Sequence, residues 1–454
     1  MQLLVMVVFI FTLLKAEDIF LNETFIADYL SIDSTNKYKL FFWLFKSRDK
    51  NSKAPLVIFL NGGPGSSCEE VVLLENGPYR ITDNLELVKN EYSYINNNDV
   101  LYIDQPIGTG FSTCTNISRI PKNQSQIAKD LTYFFNQFFT QYKEYKGRNI
   151  FITGQNFAGH YIPSTVPYLL EHIPEMNVKG ISIGNPVINF KTYVENNIYS
   201  KFALEVGLID WLMYVIAGVQ EWLCNIFIKY GLLNKFTMMI CENAIKLPLV
   251  GMNPYDYTTK CQVKDTCYDF TRISRFLEKP EVQKRLKIEG KKWRYTDQNV
   301  SNALAYDNFN DYTDGFTDLL DKNIPIILYY GDLDFTSNYI GGLTWLKQLK
   351  WKYTNQLLNQ TNATLNYADK VIGKFKAYHL FNFIIINNAS HFVTMSRPEL
   401  GPLLIDLLAG RGVYKFKYSS GIVEVPIGSP SKTYRFLLSN TYKVILELHY
   451  RIHG

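Results

Sequence analysis

The chain has little net charge. Its 454 residues carry 47 Lys+Arg against 42 Asp+Glu, a formal balance of +5. A nucleic-acid binder needs a basic footprint far stronger than this, so no nucleic-acid partner is expected. It also lacks the low hydrophobicity that goes with disorder, since 47% of residues are hydrophobic and 15% aromatic. There is no low-complexity tract and no internal repeat. Past residue 14 no apolar run is both long and uncharged. The strongest, 211–240, is interrupted by Glu221, Lys229 and Lys235, which points to buried or amphipathic cap helices rather than a bilayer span. No transmembrane segment is therefore expected once the leader is removed.

The small positive balance is unevenly placed. Residues 411–454 hold seven Lys+Arg and two Glu and so account for all of it. This tail is expected to be a solvated basic extension, with docking to an acidic partner or membrane surface as the alternative. At the other end, residues 2–14 (QLLVMVVFIFTLL) form an apolar run too short to span a bilayer and the right length for a signal-peptide core, with cleavage expected after Ala16. Export gives meaning to the N-x-S/T triplets opened by Asn22, Asn116, Asn123, Asn299, Asn359, Asn362 and Asn388. It also lets the six cysteines pair. Cys261 and Cys267 close a short loop, Cys224 with Cys241 is a reasonable second pair, and Cys68 and Cys114 have no assigned partner.

Residues 55–60, 98–104, 149–154, 179–184, 325–330 and 381–387 are short apolar runs rich in β-branched and aromatic residues, each ending at Gly, Asn or Asp as buried parallel strands do. Helix-length segments such as 124–143 and 159–172 lie between several of them. Strand alternating with helix is the pattern of a doubly wound α/β sheet, whose active residues sit in the loops after the carboxyl ends of the strands. From about 190 to 290 the alternation breaks, and this stretch holds four of the six cysteines. It reads as a helical, cross-linked insertion.

Three loops stand out. The strand 149–154 runs into Gln155-Asn156-Phe157-Ala158-Gly159 and a helix, the strand–turn–helix of a nucleophile elbow with Asn156 at its apex. Asp332 and Asp334 follow the strand 325–330, and His391 follows 381–387, giving the chain order apex, acid, base. Singly, such residues also serve as turns and caps. Upstream, Asn61-Gly62-Gly63-Pro64-Gly65 either forms a simple glycine turn or offers backbone N–H groups to an oxyanion.

Taken together, FLNGGPGSS, ENGPYRI, NNDVLYIDQPIGTGFS, GQNFAGHYIPSTVPYLL, NPYDYTTKC followed by CYDF, PEVQKRL, YYGDLDFTSN and ASHFV resemble, in order, the signature blocks of the serine carboxypeptidase family over roughly residues 25–408. The resemblance implies an α/β-hydrolase fold with a mostly parallel central sheet and a helical, disulfide-containing cap. It also implies release of single C-terminal residues through an acyl-enzyme in secretory or lysosome-like compartments, with no cofactor and no metal. Carried over by position, His391 is the general base and Asp334 its orienting acid, while Asp332 is structural. The oxyanion hole is the N–H groups of Gly63 and Phe157. Asn61, Gly62, Glu75 and Gln155 hold the substrate carboxylate, and Cys261–Cys267 matches a family pair.

The chain departs from the pattern at three places. Where the family resembles G-E-S-Y-A-G, this chain has Gly154-Gln155-Asn156-Phe157-Ala158-Gly159. A carboxamide has a delocalised nitrogen lone pair and no hydroxyl proton, so Asn156 cannot form the acyl-enzyme. Gln155 leaves Glu75 as the one acid expected at the carboxylate subsite, with weaker pH dependence of binding. The family cysteine at Ser66 and its partner near 293–300 are both absent. A glycan on Asn388, three residues before His391, would block the cleft, so that triplet is expected to be unused.

The organisation expected is a leader, 1–16, a hydrolase core, 17–190 and 290–410, a cap, 190–290, and the basic extension, 411–454. The protein reads as a serine carboxypeptidase-like chain with catalysis lost or very weak. The alternative is a non-catalytic homologue, monomeric or homodimeric, that binds peptide or protein C-termini.

Overall fold

The computed structural model describes residues 18–263, 266–367 and 370–411, and beyond them the backbone of three strands. The expected leader lies outside the described residues, as does most of the tail.

The six expected strands form the parallel centre of a 13-stranded sheet. In chain order, the strands of this sheet are β1 (Phe25–Ser31), β2 (Lys39–Phe45), β3 (Leu56–Leu60), β4 (Asp99–Ile103), β5 (Ile150–Gln155), β6 (Val178–Gly184), β7 (Ile326–Gly331), β8 (Ala363–Tyr367), β9 (Lys370–Tyr378) and β10 (Phe381–Ile386). Three more follow: β11 (Val413–Tyr418), β12 (Gly421–Pro426) and β13 (Ile445–Leu448). The order β4-β3-β5-β6-β7-β10 is parallel throughout. Covered on both faces, most of these strands are almost wholly buried, which is why they read as continuous apolar runs. The α/β-hydrolase architecture is thus present.

Antiparallel strands flank this centre. β1 and β2 form a hairpin against β4. Phe25, Phe41, Trp43 and Phe45 are buried on one side of it, each such side chain contributing about 1.5–3 kcal/mol on burial. At the far edge β9 and β8 continue from β10. The tail strands then extend the sheet, with β13 parallel to β8 and β11 and β12 paired as a hairpin. The described backbone of the tail therefore joins the sheet, instead of being only a solvated extension.

The insertion has its own small core. Helices α4 (Phe190–Glu195), α5 (Ile198–Glu205), α6 (Trp211–Lys229) and α7 (Lys235–Lys246) pack around Tyr193, Tyr199, Phe202, Cys224, Ile240 and Cys241. The disulfide Cys224–Cys241 joins α6 to α7, and Cys261–Cys267 closes the short loop further on. Cys68 and Cys114 are unpaired.

Of the two expectations for the apolar stretch, buried or amphipathic, helix α6 is not buried, and it is amphipathic in reverse. Its buried residues are Ala217, Glu221 and Cys224, while Trp211 is 68% and Trp222 56% exposed. The Glu221 carboxylate faces inward because it accepts from Tyr199 N at 3.1 Å and Ser200 N at 2.8 Å, at the start of α5. By length and composition α6 is the one helix among the described residues long and apolar enough to cross a membrane.

Candidate active site

The site is built at the carboxyl ends of β5, β6, β7 and β10, four neighbours in the sheet. After Gln155 the chain turns sharply into the helix Ala158–His172. Asn156, at the apex, has φ 57°, the left-handed region that Asn tolerates better than most residues. Close packing dictates the small residues around it. A Cβ on Gly154 would stand 2.3 Å from Leu60 O and 2.6 Å from Ala158 Cβ, and one on Gly62 would stand 2.6 Å from Asn156 Cβ.

The loop after β3 lies against this apex. Gly63, with φ +109°, turns its N–H toward Asn156 and donates to Oδ1 at 3.2 Å. Because a backbone N–H can only donate, this contact fixes which way the carboxamide faces. Phe157 N–H has no protein acceptor among the described residues. Asn156 is half-buried and Gly63 exposed, so the apex opens to solvent.

Asp334 and His391, the expected acid and base, follow the ends of β7 and β10. His391 Nδ1 is 2.7 Å from Asp334 Oδ2, and both side chains are buried. Asn185, at the end of β6, donates to the same Asp334 oxygen at 2.6 Å and accepts from Gly331 N at 3.3 Å. Ser337 N donates to Asp334 Oδ1 at 3.3 Å. With Nδ1 committed to Asp334, no protein group bonds Nε2 among the described residues. Asn156 N donates to Gly184 O at 2.9 Å, so apex and acid are both tied to the end of β6. The insertion contributes too: Tyr255 O accepts from His391 N at 2.8 Å, and its ring lies 5.1 Å from the imidazole. Asp332 stands apart, with Oδ1 3.4 Å from Ala389 N.

The residues expected to hold a carboxylate are likewise brought together, and buried. Gln155 Nε2 donates to Glu75 Oε1 at 2.7 Å and Asn61 Oδ1 at 3.2 Å, and Thr394 Oγ1 donates to Glu75 Oε2 at 2.8 Å. Asn61 Nδ2 is bonded to Ser67 O at 2.6 Å, and Gly62 N to Asn61 Oδ1 at 2.8 Å. Both Gln155 amide hydrogens are therefore committed, and a ligand carboxylate here has to take one over.

The chain matches the serine carboxypeptidase family model over residues 17–406. The chain belongs to the serine carboxypeptidase family. It is 30% identical to serine carboxypeptidase-like 47 of Arabidopsis thaliana over 387 residues, 82% of this chain and 76% of the relative. It is 28% identical to serine carboxypeptidase S10 family member 1 of Dictyostelium discoideum, over 84% of this chain and 93% of that one. Among solved structures it resembles Kex1(delta)p, a prohormone-processing carboxypeptidase from Saccharomyces cerevisiae, with a TM-score of 0.76 and 24% identity over 88% of this chain and 94% of that one. That likeness is one of fold.

Two features of this serine carboxypeptidase homologue were silent in its sequence. Asn185 and Ser337, which hold Asp334, are ordinary polar loop residues until the strand ends are brought together. Glu70 reads as an exposed acid in the first turn of a helix, yet the helix α1 (Glu69–Leu74) is buried on all sides. Glu70 is 0% exposed and its carboxyl group lies against that of Glu75. Burial pushes its pKa well up, and the negative field of Glu75 adds to this. Burial also raises Glu75. The expectation that Gln155 leaves a lone acid at the subsite is therefore corrected, since Glu70 supplies a second one from behind.

Where the family resemblance places a cysteine at Ser66, Ser66 Oγ lies 3.1 Å from Thr296 Oγ1. Ser67 Oγ accepts from Trp293 Nε1 at 2.8 Å. Both serines are buried and engaged. The seven sequon asparagines, Asn22, Asn116, Asn123, Asn299, Asn359, Asn362 and Asn388, are all exposed.

Proposed function

We propose that this member of the serine carboxypeptidase family holds peptide or protein C-termini without cleaving them through an acyl-enzyme. One observation carries the reading: the elbow presents a carboxamide, Asn156, whose oxygen takes the Gly63 N–H meant for a substrate oxyanion. His391 has no hydroxyl proton to remove at this apex, and loss of a serine nucleophile costs on the order of a millionfold in turnover. In the full family mechanism His391 would serve as base, Asp334 as its orienting acid, and Gly63 and Phe157 as oxyanion donors. Here these groups shape a cleft around Asn156, with Asn61, Gly62, Glu75 and Gln155 as the carboxylate subsite.

The burial of Glu75, Gln155 and Asn61 in one bonded cluster supports continued recognition of a terminal carboxylate. Exposure of the sequons and the apolar leader support passage through the secretory pathway as a glycoprotein. The test is calorimetric titration of the purified chain with a short peptide bearing a free C-terminus and with the same peptide amidated. Binding of the free acid alone is expected, and equal or absent binding of both would overturn the reading.

A further inference from the structure

We propose that the site acts on its own apex, hydrolysing the Asn156 side-chain amide to aspartate. The proposal shares the active-site residues with the reading above but needs no bound peptide.

Asn156 is held as a substrate amide would be. Its carbonyl oxygen accepts from Gly63 N–H at 3.2 Å, and the neighbouring Phe157 N–H has no other acceptor among the described residues. Polarising the carbonyl in this way leaves Cγ electrophilic and gives the oxygen a donor for developing negative charge. The hydrolytic half of the machinery is complete. Asp334 binds His391 Nδ1 at 2.7 Å, which fixes the tautomer that leaves Nε2 as a base, and Nε2 has no protein partner among the described residues. The apex is open to water. The end of β6 ties the two together, since Gly184 O accepts from Asn156 N and the adjacent Asn185 donates to the Asp334 carboxylate that holds His391.

The step balances. A water oxygen bonds to Asn156 Cγ as His391 Nε2 takes one of its protons, and the charge passes to Oδ1. Collapse of the tetrahedral carbon breaks Cγ–Nδ2, with the His391 proton going to the departing nitrogen. One amide and one water give one carboxylic acid and one ammonia, which ionise to carboxylate and ammonium. Nothing is oxidised or reduced. The product carboxylate keeps the Gly63 hydrogen bond, now charge-assisted and stronger.

The test uses the full chain and peptide mass spectrometry of the segment spanning 149–179. Native protein and the variants His391→Gln and Asp334→Asn, each checked for folding by circular dichroism, are incubated in heavy-oxygen water at neutral pH. The native chain is expected to be isolated with aspartate at position 156, or to convert to that form, with one heavy oxygen taken up per conversion in the labelled water. Both variants are expected to convert about a hundredfold more slowly, the usual contribution of a positioned general base. Two variants guard against one failing to fold. Retention of Asn156 in the native chain, equal conversion in folded variants, or a mixture containing isoaspartate from attack by the backbone nitrogen would each overturn the proposal.

Discussion

Ser66 Oγ and Thr296 Oγ1 meet at 3.1 Å across 230 residues of sequence, joining the glycine loop after β3 to the segment before the helix Gln298–Ala303. Around them Ser67 N donates to Tyr295 O at 2.9 Å and Asp297 N to Gly65 O at 3.0 Å. A hydroxyl pair and a short backbone ladder hold the loop that carries Gly63 where the family resemblance places a covalent link. The double variant Ser66→Cys/Thr296→Cys is expected to form a disulfide and to gain about 2–4 kcal/mol from closing so long a loop. Thiol titration and denaturant unfolding check both parts, and four free thiols in the folded variant, two more than Cys68 and Cys114 supply, would show that the loops are not held this closely.

Glu70 and Glu75 make a second expectation. Both acids are raised by burial, so both are neutral at acidic pH and costly to ionise as pH rises. An incoming peptide carboxylate meets a neutral subsite at low pH and a negative one at high pH. Affinity for a free C-terminus is therefore expected to fall as pH rises, and Glu70→Gln is expected to flatten the fall. An unchanged pH profile in that variant would remove Glu70 from the subsite.

The same pair bears on stability. A carboxyl whose pKa is raised in the folded state contributes stability below its unfolded pKa that is lost as pH climbs through the folded value. Glu70→Gln removes that loss, since an amide cannot ionise. Thermal unfolding at pH 7 is expected to show the variant as more stable than the native chain, with the difference vanishing near pH 4. A variant less stable at pH 7 would mean that Glu70 is ionised and paired in the native protein.

Gly154 is the tightest point behind the elbow. With a Cβ 2.3 Å from the carbonyl of Leu60, Gly154→Ala must push apart β5 and β3. Overpacking of this kind costs about 1–3 kcal/mol, and a drop of that size in unfolding free energy is expected from denaturant titration. No loss of stability would mean that the turn relaxes freely.

The parallel centre of the fold was legible because strands covered on both faces must be apolar end to end, as PLVIFL and NIFITG are. The flanking strands were not, for different reasons. β9, KVIGKFKAY, alternates lysine with apolar residues as a half-exposed antiparallel strand does, and breaks the strand–helix rhythm that marks the core. Apex, acid and base were readable from their places after strands, but Asn185, Ser337 and Glu70 acquire meaning only through packing. Helix α6 misled because composition reports how apolar a helix is and not which face it buries. Its one carboxylate, Glu221, is turned inward to serve the start of α5.

The central claim is that Asn156 alone stands between this chain and the chemistry of its family. The direct measurement is turnover of an N-blocked dipeptide by the purified native chain beside Asn156→Ser, at pH 5. No hydrolysis is expected from the native chain, and release of the C-terminal residue is expected from the serine variant, which regains a hydroxyl at the apex. Hydrolysis by the native chain at a rate comparable to the variant would contradict the claim.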